Sequence, residues 1–533
     1  MAQEQKSTAI EASQSQSQSP AQSQPGSQSE ASTLHSPSTE LDMEKQPTNT
    51  MGIQTATASP DLTPSPSKDP YLVTFSPTDR VLTDPQTWPL SKKLKFTLIA
   101  CAMIFLTSFS SSIFGPAAPT TASEFHVSTV VMNLSVALFV AGFSIGPLFF
   151  APLSQIVGNA VPLFIALFGC ALFQIPQSLA TNAQTIIISR FLQGMLGSGV
   201  LAVGSGMLAE VWPIHTRAIA VGASATSMNL GSSVGPIVGS YILDRYGWRW
   251  IGWVTLLVYV FIGLLTPFSV HESSRKRILE RKASKIRKET GDNSFYAPSE
   301  KHALTLGTLV QRYGKMPLAM MAQEPILIVI TLYLTLVYGT LYLSYQMFPY
   351  AFKMRGWSAP VSSLPFISVL LGVVSAWGIV VLHTRHFYWR ALKRGTATPE
   401  SRLPPMILGG CMLFPSLLWF GWAMRTHWIA QVMSCFFVGC ALQLIFISGI
   451  VYIVDVYMPN ANSAISIHVA VRSLVSASFP LWGSSVYKKL GVEWTSTLLA
   501  GLGVLLMPSP ILFYFYGGKI RSWSRFCETP LDV

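Results

Sequence analysis

The chain has 533 residues, of which 50% are hydrophobic and only 11% are charged. A soluble protein carries about 25% charged residues, so this chain has too little charge to cover a water-exposed surface of its size. Many apolar runs of about 20 residues match the thickness of a bilayer core. The formal net charge of +12 does not indicate nucleic-acid binding, because the positive residues lie in loops between apolar runs. Soluble enzyme classes are therefore disfavoured.

The N-terminal residues, 1–91, differ from the rest of the chain. They are rich in Ser, Gln, Thr and Pro, with ten acidic and four basic residues, and contain no apolar run long enough for a signal peptide. Such a composition buries too little apolar area to offset the entropy lost on ordering. It predicts a disordered cytosolic tail, with a phosphorylated regulatory segment as the alternative.

Twelve apolar spans are predicted after this tail, including spans at 184–209 and 428–454. They predict an all-α membrane protein with two six-helix bundles. A polar stretch with eleven Lys or Arg separates the sixth span from the seventh. The predicted parts in chain order are the tail (1–91), the first bundle (92–270), a basic cytosolic loop (271–322), the second bundle (323–517) and a cytosolic C-terminal tail (518–533).

The distribution of Lys and Arg among the predicted loops indicates the orientation. With the N-terminus in the cytosol, the inner segments collect 23 Lys or Arg and the outer loops seven. The positive-inside rule therefore places both ends in the cytosol. An odd number of spans would remove this bias, so the count also favours twelve.

The two predicted bundles show a faint internal repeat. The fourth span ends in AEVWP (209–213) and the tenth in VDVYMP (454–459), at an offset of 245 residues. Parallel repeats of this kind are typical of transporters in which two halves rock about a central site.

The positions of the cysteines and the lack of a nucleotide-binding motif argue against other classes of protein. Five of the six cysteines lie in apolar runs, and the sequence has no CxxC or Cys/His cluster. Neither a disulfide framework nor a metal site is predicted, and no cofactor is expected. The sequence also lacks a Walker-type GxxxxGK[ST] motif, which argues against ATP-driven pumping.

The fifth span has the most informative pattern. Gly231, Gly235 and Gly239 recur every four residues and line one helix face, where a neighbouring backbone can approach closely. Pro236 removes one helical hydrogen-bond donor and predicts a bend. A glycine stripe alone is usually structural, but GxxxGPxxG in the fifth of twelve spans resembles the antiporter motif of drug exporters in the major facilitator superfamily.

Further segments resemble the fungal drug:proton antiporter branch of that superfamily. The resemblance extends over nearly all of 84–526 and implies a twelve-helix, two-bundle fold, proton-coupled export, a cavity lined by helices one, four, seven and ten, and an antiporter helix packed across the two halves. The segments that carry it are DPQTWPLSKK (84–93), SRFLQGMLGSG (189–199), the seventh-span region (324–352), PESRLPP (399–405) and FPLWGSSVYKKLGVEW (479–494).

The loop between the second and third spans departs from the family pattern. Gln155, Asn159 and Ala160 stand where the family has one acidic and two basic residues that latch the cytosolic gate. Either gating relies on other contacts, such as Glu210 with Arg217, or transport is slow or altered. The central stretch also begins HESSRKRILERKA where the family has a PET-type start.

Charged residues inside the spans are the candidates for proton coupling. Arg190 lies about 9 Å inside the fourth span, where a charge requires a partner, a water-filled cavity or snorkelling to the surface. The resemblance implies proton coupling by Arg190, with Gln193 one turn away on the same face. His468 and Arg472, spaced i, i+4, share a face of the eleventh span. Histidine exchanges protons near neutral pH, although a lone intramembrane histidine is more often a packing residue.

Two further groups complete the predicted site. Glu210, Arg217 and Asp455 lie at the inner ends of spans and are interpreted as gate or helix-end charges. Tyr338, Tyr342 and Tyr345 follow i, i+4, i+7 and, with Gln346, form a face that either contacts an amphipathic ligand or packs against lipid and neighbouring helices. No acidic residue lies deep in the first span, so the proton carrier stays unidentified.

These observations favour a secondary active transporter rather than an enzyme. The leading hypothesis is a proton-coupled exporter of small amphipathic toxic compounds, such as antifungal drugs or the cell's own secondary metabolites, working by alternating access. The alternatives are an uptake carrier for a polyamine, organic anion or nutrient, and a non-transporting membrane sensor. The expected partners are a small-molecule substrate, protons and the lipid bilayer, with no nucleic acid, and the protein is expected to be a monomer. The resemblance implies the plasma membrane, with the vacuolar membrane as the alternative.

Overall fold

The structure is a computed structural model that describes residues 69, 71–75, 84–300 and 311–527. Most of the predicted disordered tail and the last residues of the predicted C-terminal tail, 528–533, lie outside the described residues. The described chain is dominated by long helices joined by short connections.

Helix-capping side chains and glycines set the ends of several helices in the first half. Ser128 accepts a hydrogen bond from the backbone N–H of Val131, and Asn182 accepts one from that of Thr185 at 2.8 Å, so each caps the helix that follows it. The helices of this half are α1 (Leu90–Ser112), α2 (Ala118–Glu124), α3 (Thr129–Val157), α4 (Ala160–Leu172), α5 (Gln174–Ser178), α6 (Ala183–Val211), α7 (Ile214–Tyr246) and α8 (Arg249–Ser269).

The predicted basic loop, 271–322, contains helices and therefore differs from the expectation. The helices of this segment are α9 (Arg275–Thr290) and α10 (Met316–Gln323). Those of the second half are α11 (Pro325–Met354), α12 (Phe366–His383), α13 (Trp389–Lys393), α14 (Pro404–Trp422), α15 (Trp428–Val456), α16 (Ala461–Ser476), α17 (Phe479–Leu506) and α18 (Pro508–Arg521). The spans predicted at 184–209 and 428–454 correspond closely to α6 and α15.

Ten stretches of the described chain are long and apolar enough to cross a membrane. One of them, Ala461–Arg521, is 61 residues long and contains α16, α17 and α18. The 33-residue α7 is not among the ten, because its many Ser and Gly residues lower its hydropathy. The count of twelve spans therefore stays a prediction, whereas the all-helical membrane fold is confirmed.

The chain reverses direction at glycines with positive φ. Gly247, between α7 and α8, has φ +83°, and Gly491, inside α17, has φ +82°. Before Gly491 the chain runs parallel to α11, with Gly483 against Leu343, and after it Gly503 packs on Leu413 of α14. Gly247 and Gly491 both begin a GxxW sequence, at an offset one residue shorter than the repeat seen in the sequence. The internal repeat thus includes the backbone geometry of these turns.

Helix packing repeats between the two bundles. In the first bundle α3 packs along α6 and α1 packs against α7, and in the second bundle α12 packs along α15 and α11 against α16. Two pairs of helices form the most extensive contacts between the bundles, α3 with α16 and α7 with α12. These two pairs occupy equivalent positions in the repeat, so the bundles face each other with approximate two-fold symmetry.

The central segment, which joins α8 to α11, binds a short piece of the N-terminal tail. Val73 donates its backbone N–H to Tyr296 at 2.9 Å, and Tyr296 donates its own to Tyr71 at 3.0 Å, forming a parallel bridge. Val73 is buried with Ala283 of α9 and Ala297 in a small apolar cluster. Residues 71–75 thus differ from the predicted disorder of the tail.

A bidentate ion pair stabilises the same segment. Arg287 of α9 donates from Nη1 and Nη2 to the two carboxylate oxygens of Glu300, each at 2.9 Å. These hydrogen bonds lower the pKa of the Glu300 carboxyl below its ordinary value. Glu300 is therefore fixed against α9 by a planar, charge-assisted contact.

Candidate functional site

Arg190 of α6 is completely buried and points towards the end of α1. Its Nη1 donates to the backbone oxygen of Ser110 at 2.5 Å and its Nη2 to that of Ser111 at 2.6 Å, with a longer contact from Nε to Ser135. The last carbonyls of a helix lack intrahelical partners and accept such donors. The guanidinium also lies 4.3 Å from the ring centre of Phe139. The alternative that Arg190 snorkels to the outer surface is therefore wrong.

Gln193 connects to Arg190 only through intermediate residues. Its Nε2 donates to Gln177 at 2.9 Å and to the backbone of Phe173. Gln174 donates both to Gln193, at 3.4 Å, and to the hydroxyl of Ser110, whose carbonyl binds Arg190. The structure thus places the two predicted residues in one buried polar network.

The three predicted tyrosines of α11 form a continuous aromatic row, Tyr338, Tyr342 and Tyr345. The ring centres of Tyr338 and Tyr342 are 5.0 Å apart and those of Tyr342 and Tyr345 5.5 Å. The Tyr342 hydroxyl lies 3.0 Å from that of Ser111, at the end of α1 in the other bundle. The common face predicted from the spacing is confirmed, and it is directed towards the first bundle.

Gln346 directly follows Tyr345, the last tyrosine of this row. Its Oε1 is buried and has no hydrogen-bond partner among the described residues. An orphaned acceptor of this kind is available to a ligand or to water.

Arg472 of α16 is buried against aromatic rings rather than against an acidic group. Its guanidinium lies 4.3 Å from the ring centre of Tyr338 and 4.9 Å from that of Phe446. Its Nε and Nη1 are buried without a hydrogen-bond partner in the described part of the chain. Arg472 therefore keeps unused donor capacity beside the aromatic row.

His468 lies one turn before Arg472 and is also buried. Its Nδ1 is 3.1 Å from the hydroxyl of Thr331 in α11, and its Nε2 has no partner within the described ranges. The predicted shared face of His468 and Arg472 is confirmed, because both approach α11.

A pair of amides joins the bundles in the middle of α7 and α15. Asn229 donates its side-chain N–H to Gln443, and Gln443 donates to the hydroxyl of Thr226 at 3.1 Å. The sequence analysis did not single out these residues, nor Phe446 and Ser111. The signal that could have found the amides is their position as isolated polar side chains inside membrane helices.

The glycine face of α7 packs inside the first bundle. A Cβ at Gly231 would lie 2.2 Å from the backbone oxygen of Phe105 in α1, and one at Gly239 would lie 2.1 Å from that of Ile113, the residue directly after α1. The expectation that this motif packs across the two halves is therefore wrong for its glycine face. Gly235 occupies the same contact, and α7 continues unbroken through Pro236. Other residues of α7, including Asn229, contact the second bundle.

The uncharged loop between α3 and α4 forms a neutral latch at the inner end of the first bundle. Asn159 donates its amide to Glu210 at 2.8 Å and to the hydroxyl of Ser273. Glu272 accepts the backbone N–H of Asn159 at 3.0 Å and approaches that of Ala160. Asn159 therefore connects α6 to the start of the central segment without an ion pair.

Two charged residues of the central segment complete this latch. Lys276 donates to the backbone oxygen of Gln155 at 3.0 Å, and Arg275 forms a 3.2 Å ion pair with Asp84, just before α1. The divergent HESSRKR start thus supplies Glu272, Arg275 and Lys276 to the inner surface of the first bundle.

The gate charges are paired differently from the expectation. Glu210 binds Asn159 rather than Arg217. Asp455, at the inner end of α15, accepts Arg402 Nε at 2.9 Å, and that guanidinium stacks over Tyr388. Arg217 Nε has no hydrogen-bond partner among the described residues. The suggested Glu210–Arg217 contact is therefore wrong, and Arg402 is the partner that the sequence analysis missed.

Comparison with known proteins gives the family. Residues 100–480 match the Major Facilitator Superfamily. The citrinin biosynthesis cluster MFS transporter mrr1 of Monascus ruber is 39% identical over 464 residues, which cover 86% of this chain and 93% of that protein. The ascochitine biosynthesis cluster MFS transporter of Didymella fabae is 39% identical over 481 residues, covering 89% of this chain and 93% of that protein.

Solved structures show the same fold at low identity. The proton:xylose symporter XylE has a TM-score of 0.60 at 16% identity, with 80% of this chain and 96% of that chain covered. The human organic anion transporter MFSD10 has a TM-score of 0.56 at 16% identity, with 79% and 99% covered.

Two helical bundles that enclose buried polar groups define a multi-pass membrane transporter. The chain belongs to the Major Facilitator Superfamily, as its match over residues 100–480 and its fungal relatives show.

Proposed function

We propose that this protein is a proton-coupled exporter of small amphipathic compounds, chiefly secondary metabolites, that works by alternating access. Its fungal relatives are named as transporters of the citrinin and ascochitine biosynthesis clusters, which supports a metabolite cargo. Its partners are the cargo, protons and the surrounding lipid, it acts as a monomer in the plasma membrane, and it performs no chemical conversion.

The observation that carries this proposal is the pair of buried arginines on either side of the bundle interface. Arg190 and Arg472 are 0% and 3% exposed, in α6 and α16. A charge in the bilayer centre costs about 2.5–3.5 kcal/mol by insertion scales, so the two arginines mark a candidate functional site. Tyr342 lies within electrostatic range of both guanidinium groups. This arrangement provides a polar and aromatic site of the kind that binds an amphipathic cargo.

Proton coupling is assigned to Arg190, Gln193, His468 and Arg472. His468 is the residue of this set whose imidazole can bind and release a proton, and Arg190 organises the end of α1 through the Ser110 and Ser111 carbonyls. We expect Arg190→Ala to abolish proton-driven flux in proteoliposomes, because these carbonyls lose their donors. Unchanged proton-driven flux in that variant would remove Arg190 from the coupling mechanism.

The gate is assigned to the inner ends of α6, α7 and α15. Glu210 and Asp455 occupy equivalent positions in the repeat, with Asn159 and Arg402 as their partners. Arg217, whose Nε is unpaired among the described residues, is available to form a contact in the other conformation of the transporter.

Export is tested with a deletion strain and an overexpression strain exposed to a panel of toxic compounds, with a protonophore as the control. We expect deletion to raise the accumulation of at least one compound, overexpression to lower it, and the protonophore to remove the difference. Accumulation that never depends on the protein or the proton gradient contradicts the exporter. An uptake carrier would give the opposite sign of accumulation, and a membrane sensor would bind a compound without any change in flux.

A further inference from the structure

In the described membrane helices, the charged side chains that are buried at mid-depth are all positive. Of the 36 Lys and Arg in the chain, Arg190 and Arg472 are those that lie well inside the spans. In the described helices, the acidic residues lie within about one turn of a helix end, beside the turn at Gly491 inside α17, or in the segment between α8 and α10. Those at the ends of membrane helices are Glu124, Glu210, Asp244, Glu324 and Asp455, and the one beside Gly491 is Glu493.

The two arginines differ in how their donors are used. Arg190 donates to the carbonyls at the end of α1 and has no orphaned nitrogen. Arg472, 3% exposed, keeps Nε and Nη1 without an acceptor among the described residues. Neither forms an ion pair within the described ranges. Because an unpaired buried polar group is costly, the orphaned nitrogens of Arg472 call for an acceptor that the described chain does not supply.

The surroundings of Arg472 indicate the shape of the ligand that bears this acceptor. The rings of Tyr338 and Phe446 are nearly parallel, at 14° and 6.1 Å between centres, and the guanidinium lies over both. The unpaired Nε2 of His468 lies one helical turn away. The fork of an arginine side chain fits a carboxylate in a two-point contact, and flat aromatic rings favour a planar apolar body beside it.

We propose that the cargo is a planar or aromatic organic acid, bound as its anion with the carboxylate on Arg472 and its ring system along the aromatic row. The inference rests on the proposed exporter function and specifies its substrate class. The anion offsets one of the two buried positive charges at mid-depth, where the described helices hold no acidic side chain. It also gives export a direction, because a membrane potential that is negative inside drives an anion out of the cell.

The test measures binding by the purified full-length protein in lipid nanodiscs. The probes are the fluorescent acid 9-anthracenecarboxylate and its neutral isostere 9-anthracenecarboxamide, followed by fluorescence anisotropy. We expect the acid to bind at least tenfold more tightly than the amide. In Arg472→Gln the acid should fall to the affinity of the amide, while the affinity for the amide changes less than twofold, which also shows that the variant is folded.

Two further variants sharpen the test. Arg472→Lys keeps the charge but not the fork, so it should retain only part of the preference for the acid. Arg425→Gln removes an exposed arginine at the outer end of α14 and should leave the preference unchanged. Equal affinity for acid and amide in the native chain, an unchanged preference in Arg472→Gln, or no measurable binding of the acid would each overturn the inference.

Transport of the same probes separates this inference from the proposed function. Protein-dependent export of the amide, without export or preferential binding of the acid, overturns the anionic cargo and leaves the exporter standing. Preferential, Arg472-dependent binding of the acid without protein-dependent flux supports the anion site and contradicts the exporter.

Discussion

At the scale of single residues, the chain replaces the family's charged latch with hydrogen bonds of a neutral amide. Asn159 holds Glu210, while Glu272 holds the backbone around Asn159. The equivalent position of the second bundle keeps an ion pair, Arg402 with Asp455. The two inner ends of the repeat are therefore fastened by different chemistry.

The neutral latch predicts that an amide at position 159 stabilises the protein and that a carboxylate there destabilises it. Asn159→Ala removes the amide donor of the Glu210 carboxyl and should lower stability by about 2 kcal/mol. Asn159→Asp should lower it further, because a third carboxyl group would lie beside Glu210 and Glu272. Thermal unfolding in detergent, followed by tryptophan fluorescence, measures both.

Asn460→Ala is the matched control for these two variants. Its amide makes a single 3.3 Å contact with the backbone of Phe526, so the loss should be smaller. An aspartate variant at position 159 as stable as the native chain contradicts the latch.

At the scale of elements, the glycine face of α7 allows α1 to approach at backbone contact. Gly231, Gly235 and Gly239 each leave no room for a Cβ beside α1. Backbone atoms cannot rotate away as a side chain can, so the closest approaches at Gly231 and Gly239 are the most restrictive. The stripe therefore fixes the spacing of two helices within the first bundle, while the opposite side of α7 meets the second bundle.

Gly239→Ala should separate α1 from α7 and lower stability. The new Cβ would lie 2.1 Å from the backbone oxygen of Ile113, and overpacking of this kind costs about 1–3 kcal/mol. Gly378→Ala in α12 is the control, since a Cβ there meets no atom within 4 Å. Equal melting temperatures for the two variants would contradict the close contact.

The bridge between 71–75 and the central segment predicts protected amides at Val73 and Tyr296. Val73→Asp should remove this protection, because it places a carboxylate in the apolar cluster with Ala283. Thr74→Asp adds the same charge on the exposed side of the segment and should keep the protection. Hydrogen exchange with mass spectrometry reads both peptides, and equal exchange in the two variants argues against docking.

At the scale of the whole molecule, hydrogen bonds join the outer halves of the bundles. Ser111 contacts Tyr342, and Asn133 at the start of α3 donates to the backbone of Pro480 in α17. Alternating access requires the outer ends of the bundles to separate. These contacts must therefore break during transport.

A cross-link across this contact should stop transport. In a chain whose native cysteines are replaced by Ser, Asn133→Cys and Pro480→Cys would be joined by a flexible thiol-cleavable bis-maleimide. We expect export to cease on cross-linking and to return when the linker is cut, with each single-cysteine variant as the control. Continued export by a fully cross-linked chain contradicts the rocking of the two bundles.

The sequence by itself determined the membrane class and the helical fold, and it indicated the internal repeat. Apolar runs of bilayer length and the one-sided distribution of Lys and Arg are local properties that need no partner. The spacing of Tyr338, Tyr342 and Tyr345 likewise fixed their common face, because helix geometry is local. The family resemblance came from the same residues.

Only the tertiary structure decided the partners of the polar side chains. Arg190 binds backbone carbonyls of α1, Glu210 binds Asn159 rather than Arg217, and Arg472 stacks on Tyr338 with donors left over. These contacts join residues far apart in the chain. Because every residue has a backbone carbonyl oxygen, the sequence does not show which of them accepts a hydrogen bond. Helical periodicity tells which side of a helix a residue occupies, but the neighbour on that side depends on how the helices pack.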